Sequence, residues 1–206
     1  MSIHIYHITH IGNLVNIVKE GRLYCDARAA QYARQNIAYS GLKDKRTRKP
    51  VPIEPHGTIA DYVPFYFAPR SPMLFAIHTG YVRNGLSQAD IIYLVTSVET
   101  VANAGKQFVF TDRNAVSSVA RFSNNLSHLD HYVDWNVMRS EYWHDCAEYP
   151  DRKSRRQAEF LVYQQLEWHL IEQIAVFDSA RRDAVLQVLN HAHHRPPVVV
   201  QRGWYY

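Results

Sequence analysis

RRQAEFLVYQQL, residues 155–166, sets a single carboxylate, Glu159, between a basic run and an apolar string. Arg152, Lys153, Arg155 and Arg156 stand before it, and Phe160, Leu161, Val162 and Tyr163 follow. The unbroken apolar run, rich in aromatic and β-branched character, predicts a buried strand entered from a basic loop. Read alone, Glu159 is a carboxylate at a strand start that balances nearby arginines, a surface pairing that is cheap and weak. What else a carboxylate does there depends on the rest of the chain.

Working outward, YVPFYFAP (62–69), IIYLVTS (91–97), QFVF (107–110) and IEQIAVF (171–177) read as further strands. Residues 3–8, IHIYHI, alternate as a strand does, and VVVQRGWYY reads as a terminal one. Helical spacing of Ile11, Leu14, Ile17 and Val18 ends at Gly21, a residue suited to the left-handed position after a helix. SPMLFAIHTG suits a short helix capped by Ser71 with Pro72 in its first turn. VETVANAG closes on Gly105, and DAVLQVLNHA is amphipathic. Residues 25–57 predict a helix-containing basic loop, and 111–154 a large polar excursion. Within the excursion, Val116–Phe122 and Asp134–Tyr142 suit helices, and no strand is predicted.

At 206 residues the chain suits one domain, because two cores would each be small and marginal. With 47% hydrophobic and 20% charged residues it has material for a core and no disordered signature. A net charge of +4 matters only where it is focused. Cys25 and Cys146 form no CxxC or zinc-like spacing, so reduced thiols and a cytoplasmic location are expected. The start lacks a signal-peptide pattern, and no apolar run reaches the roughly 18 residues a membrane span needs, so a soluble protein with no membrane partner is expected.

The charge is focused twice, around Lys43, Lys45, Arg46, Arg48 and Lys49, and again around Arg155. Basic runs interleaved with aromatics are a footprint of nucleic acid, since phosphates need cations and bases need aromatic faces. Taken singly, each run is equally a solvated loop. His7 is likewise a satisfied strand histidine, and Tyr6, Tyr66 and Phe67 are core aromatics.

In combination, however, several long strings resemble one family. IYHITHIxNLxxIxxxGxL at 5–23, RxRxxVP at 46–52, DYVPFYFAPRSPML at 61–74, FVFTDR at 108–113, QAEFLVY at 157–163 and the closing WYY resemble DarT, in order and over essentially the whole chain. That family comprises toxins that ADP-ribosylate bases of single-stranded DNA and are countered by the macrodomain antitoxin DarG. The resemblance implies one ADP-ribosyltransferase domain of the α+β class over 1–206. Its bent mixed or antiparallel sheets, flanked by helices, would form a cleft for NAD as co-substrate, with no metal.

The resemblance implies that Glu159 and Arg46 are catalytic. Glu159 matches the glutamate that favours the positive charge developing on the ribose as nicotinamide departs. Arg46 matches the family's functional arginine; because a guanidinium stays protonated, charge stabilisation and orientation suit it better than proton abstraction. His7, Ile8, Thr9, Asn16, Tyr24 and Arg46 are the implied NAD contacts. A loop over NAD corresponds to about 29–48, and a substrate loop to about 114–159. Arg113, Arg121, Tyr142, Arg155 and Arg156 are the candidate DNA contacts, followed by Tyr132 and Trp143, since Arg and Tyr bind phosphate and stack on bases. The thymidine-modifying branch is the one resembled. An RNA or protein acceptor, or a nucleic-acid-binding module without catalysis, are the alternatives.

Overall fold

The computed structural model describes residues 2–29, 31, 32, 37, 40–82 and 85–206. Most of 30–39, within the expected NAD-covering loop, therefore lies outside the described residues.

In chain order the elements are β1 (His4–His10), α1 (Leu14–Glu20), β2 (Arg22–Tyr24), α2 (Asp26–Ala29), α3 (Ser40–Arg48), β3 (Tyr62–Tyr66) and α4 (Pro72–His78). Then come β4 (Ile91–Ser97), α5 (Val98–Asn103), β5 (Phe108–Thr111), β6 (Phe122–Ser123), α6 (Leu129–Tyr132), α7 (Trp135–Arg139) and α8 (Arg152–Arg155). The chain closes with β7 (Glu159–Tyr163), β8 (Gln165–Glu167), β9 (Gln173–Val176), α9 (Ser179–Leu189) and β10 (Val198–Val200). Eight strands form one sheet in the order β10-β9-β4-β1-β3-β7-β5-β6, and β2 pairs with β8 in a second. Every pairing is antiparallel except β10 with β9. This is the expected α+β class.

Local chemistry explains most boundaries. The α1 helix stops because Gly21 takes a left-handed φ of 67° and returns its N–H to the carbonyls of Ile17 and Val18. Ser71 caps α4 by accepting the Leu74 N–H at 3.2 Å, with Pro72 supplying no orphan donor. β7 is buried along nearly its whole length because it pairs on both edges, with β3 and β5. Phe108 stacks on Phe160 at 4.8 Å, and Phe67 meets Phe160 edge-on.

Three local expectations are corrected. Val116–Phe122 is not a helix: turns lead to β6, the strand missing from the predicted excursion, which pairs Phe122 and Ser123 with Thr111 and Phe110. The second sheet was not foreseen. Gln164, left-handed at φ 60° and held by its N–H to the Asp61 carbonyl, breaks β7 from β8 and sends β8 to β2. The terminal strand is only Val198–Val200, after which the WYY aromatics anchor the chain end. Tyr205, fully buried, donates to the Ile91 carbonyl at 2.8 Å, and Gln88 bonds both the N–H and the carbonyl of Tyr206.

Ser71→Ala removes a buried cap, and a loss of about 1 kcal/mol is expected. Urea unfolding checks it, as a lowered midpoint with an unchanged slope.

Candidate active site

Glu159 opens β7 opposite Tyr66 of β3 and is 3% exposed. Its backbone N–H goes to the Thr111 hydroxyl at 3.1 Å. One carboxylate oxygen accepts the Ala115 N–H at 3.1 Å; the other accepts Nη1 of Arg46 at 2.8 Å. A carboxylate buried this deep needs partners of this kind.

Arg46 lies on α3, 113 residues earlier, and is 7% exposed. Its Nε donates to Asp26, at the start of α2, at 2.8 Å. Burial works against its charge, but the carboxylates of Glu159 and Asp26 prevail and raise its pKa further. Arg46 is thus a permanent cation. Two carboxylates around one guanidinium leave the group net negative. The remaining nitrogen, Nη2, is buried and has no hydrogen-bond partner among the described residues. A buried donor without a partner is costly, and the residue that carries it lines a cleft.

That cleft lies over β1 and β3 and is walled by α1, β2, α2 and α3. His7, Ile8, Thr9, Asn16, Tyr24 and Arg46 all line it, so the implied NAD contacts converge. His7 Nδ1 lies 2.8 Å from the Pro64 carbonyl, which can only accept, so Nδ1 carries the proton and a neutral ring keeps Nε2 as an acceptor. Burial lowers the His7 pKa and favours that neutral form. Thr9 Oγ1 accepts Asn13 Nδ2 at 3.1 Å, Asn16 donates to the Tyr32 carbonyl, and Tyr24 stacks on Tyr32 at 4.8 Å. Residues 30–39 other than 31, 32 and 37 apart, the lining mixes such polar groups with Ile8, Ile17, Leu23 and Met73, a composition suited to a dinucleotide with two ring systems and a polar backbone.

Asp26, Asn13, Tyr32 and Tyr66 also line the cleft, and sequence reasoning passed over them or set them in the core. The Tyr66 hydroxyl stays protonated, because burial, and next the Glu159 carboxylate, raise its pKa. Only pairing with β7 reveals Tyr66 as a neighbour of Glu159. No local signal marks Asp26; its role appears with Arg46 in place.

The DNA candidates separate. Tyr142 is 72% exposed, and the side chains of Arg121 and Arg155 are 60% and 42% exposed. Arg113 is more enclosed, between Asp112 and Asp151. Arg156 is corrected: it is 4% exposed and donates to the carbonyls of Val137, Met138, Ser140 and Pro69 at 2.7–3.0 Å, so both its Nη nitrogens are occupied by backbone, while Nε is buried with no hydrogen-bond partner among the described residues. It ties the excursion to the segment after β3. Trp143 is corrected likewise, being buried with its indole N–H on the Tyr206 hydroxyl. No group of three or more metal-ligating side chains occurs among the described residues, and no described helix is long and apolar enough to cross a membrane.

Comparison with known proteins shows the family and the fold. The family model described as ssDNA thymidine ADP-ribosyltransferase, DarT, matches residues 6–206. A DNA ADP-ribosyl transferase of Thermus sp. (strain 2.9) is 43% identical, over 98% of this chain and 95% of its own length. A solved structure of Thermus sp. 2.9 DarT in complex with ADP-ribosylated ssDNA superposes with a TM-score of 0.93 at 42% identity, covering 99% of this chain and 96% of the other. The same protein in complex with NAD+ gives 0.89 at 41% identity, covering 99% and 98%. A DNA ADP-ribosyl transferase-DNA ADP-ribosyl glycohydrolase fusion protein of Thermosipho africanus is 26% identical over 91% of this chain and 46% of its own.

Arg156→Met strips four carbonyls of their donor. A loss of about 2–4 kcal/mol in unfolding free energy is expected from chemical denaturation, larger than any surface arginine would produce.

Proposed function

The chain belongs to the DarT family of ssDNA thymidine ADP-ribosyltransferases, and we propose that Glu159 and Arg46 carry the transfer, with NAD held in the cleft they border. The observation that carries this reading is the buried Glu159–Arg46 pair on the wall of that cleft, with one guanidinium nitrogen that has no hydrogen-bond partner among the described residues.

When bound, NAD supplies a ribose carbon that becomes cation-like as nicotinamide leaves. Glu159 places a fixed negative charge for that moment. Its orientation is set beforehand by the Ala115 N–H and by Arg46, so little reorganisation is needed at the transition state. Arg46 moderates that charge and, through Nη2, offers a hydrogen bond to an acceptor atom of the substrates. As a permanent cation it orients and stabilises, and does not abstract a proton. Asp26 fixes Arg46 and keeps the group net negative, which suits a developing cation. His7 Nε2 accepts from a hydroxyl or amide, and the Tyr24–Tyr32 pair gives an aromatic surface for a ring.

Arg121, Arg155 and Tyr142 are the positions on the 111–155 excursion that suit the acceptor strand, with Arg113 a more enclosed cation beside them. Residues 1–206 are read as one transferase domain, since the eight-stranded sheet takes strands from both ends of the chain. The Thermosipho africanus fusion of a transferase with a glycohydrolase supports DarG, a macrodomain antitoxin, as the partner of a cytoplasmic toxin.

Glu159→Gln is expected to lower kcat at least a hundredfold, roughly 3 kcal/mol of barrier, while DNA affinity persists because only a negative charge is lost. Mass spectrometry of thymidine oligonucleotides after incubation with NAD measures it; full activity in this variant would remove Glu159 from the chemistry, and modification of RNA or protein alone would change the acceptor. Asp26→Asn is expected to lower kcat about tenfold with a smaller change in the KM for NAD, with partial rescue in Asp26→Glu. A defect confined to thermal stability would make Asp26 merely structural.

A further inference from the structure

Asp112 follows Thr111, the residue whose hydroxyl holds the Glu159 N–H, and it is 3% exposed. Its carboxylate accepts the backbone N–H and the Nε of Arg121, both at 3.0 Å, and Nε and Nη2 of Arg113 at 3.3 Å. Burial raises the pKa of such a group, yet these donors outweigh it and hold Asp112 ionised below the usual range. The reaction glutamate and Arg121 are therefore linked through two consecutive residues.

Arg121 is held on two sides. Asp112 takes its Nε, and its guanidinium carbon lies 4.8 Å over the ring of Tyr132. That ring is itself fixed, by its hydroxyl on the Phe122 carbonyl at 3.3 Å and by an edge contact with Phe110. Arg121 Nη1 and Nη2 have no partner among the described residues, and the side chain is 60% exposed. They open on a polar cavity that Trp135, Arg139 and Arg155 also line. The other acidic groups there are engaged: Asp130 with the Trp135 indole, and Asp134 with the Val137 N–H and Arg155. Arg121 thus presents an oriented guanidinium fork beside Arg139 and Arg155, and Asp130, held by a neutral indole, is the acidic group of the lining without a cationic partner among the described residues.

A planar pair of N–H donors matches two oxygens of one phosphate, and prior orientation reduces what binding must order. We propose that Asp112, Arg121 and Tyr132 form a phosphodiester-binding subsite that grips a backbone linkage flanking the modified thymidine. Asp112 and Tyr132 act as positioning residues, and Arg121 makes the contact. The inference rests on the DNA transferase reading above. Its chemistry is shared by the pyrophosphate of NAD, which the experiment separates.

The test uses the full chain and a series of thymidine oligonucleotides, each with one linkage replaced by an uncharged methylphosphonate. Arg121→Ala is expected to weaken DNA binding about tenfold, about 1.4 kcal/mol, and to flatten the slope of log affinity against log salt by about 0.7. One neutralised linkage should cost the wild type a similar factor and cost Arg121→Ala nothing further. Arg121→Lys, Tyr132→Leu and Asp112→Asn should each show part of the loss at that same linkage. An unchanged salt slope, or losses that add at every linkage, would overturn the subsite. A weakened NAD affinity by calorimetry with intact DNA binding would assign the fork to the dinucleotide and overturn it too. Wild-type protein that binds these oligonucleotides and NAD yet modifies none of them would instead remove the transferase reading beneath it.

Discussion

The ion pair between Glu159 and Arg46 governs the rest of this structure, because neither charge is tolerable at its depth without the other. Each has further obligations. Glu159 also needs the Ala115 N–H, which fixes the turn after β5; Arg46 also needs Asp26, which fixes the start of α2 against α3. A loop, a sheet and two helices are thereby set against one another around a single guanidinium. The pair is poor evidence of stability, since apolar side chains of similar size would cost less to bury. A buried pair of this kind on the wall of a cleft is what supports the proposal that it serves chemistry.

The division of arginines shows how the same side chain serves three purposes. Arg156 spends its guanidinium on backbone carbonyls and holds the polar excursion to the segment after β3. Arg46 is shared between two carboxylates and remains charged at any working pH. Arg121 is braced by a carboxylate and an aromatic ring with its fork directed outward. Burial and partners, not residue type, separate the structural role of Arg156 from the roles proposed for Arg46 and Arg121.

The elements bracketing the site behave differently from the site itself. The interior of the sheet rests on apolar strands whose burial needs no special partner, and the terminal aromatics pin its β4 and β9 region by hydrogen bonds to backbone carbonyls. The second, two-stranded sheet depends instead on one left-handed residue, Gln164, and it places Tyr24 at the cleft. The sheet thus carries the carboxylate while shorter, more irregular segments carry the groups proposed to meet the substrates, a distribution expected where loops bear function on a rigid frame.

Apolar periodicity and capping chemistry by themselves determined where β1, β4, β7, α1 and α4 lie, because those signals are local: EFLVY is a strand and Ser71-Pro72 a helix start in any setting that buries them. The strings shared with a known family further marked His7, Thr9, Arg46 and Glu159 as residues to watch. The chain alone could not place Asp26 against Arg46, bring Tyr66 beside Glu159, or separate Arg156 from Arg155, adjacent residues with opposite fates. Those outcomes depend on pairings between segments 16 to 113 residues apart. Whether a charge is buried, and by what it is satisfied, is a property of the assembled fold, which no local pattern encodes.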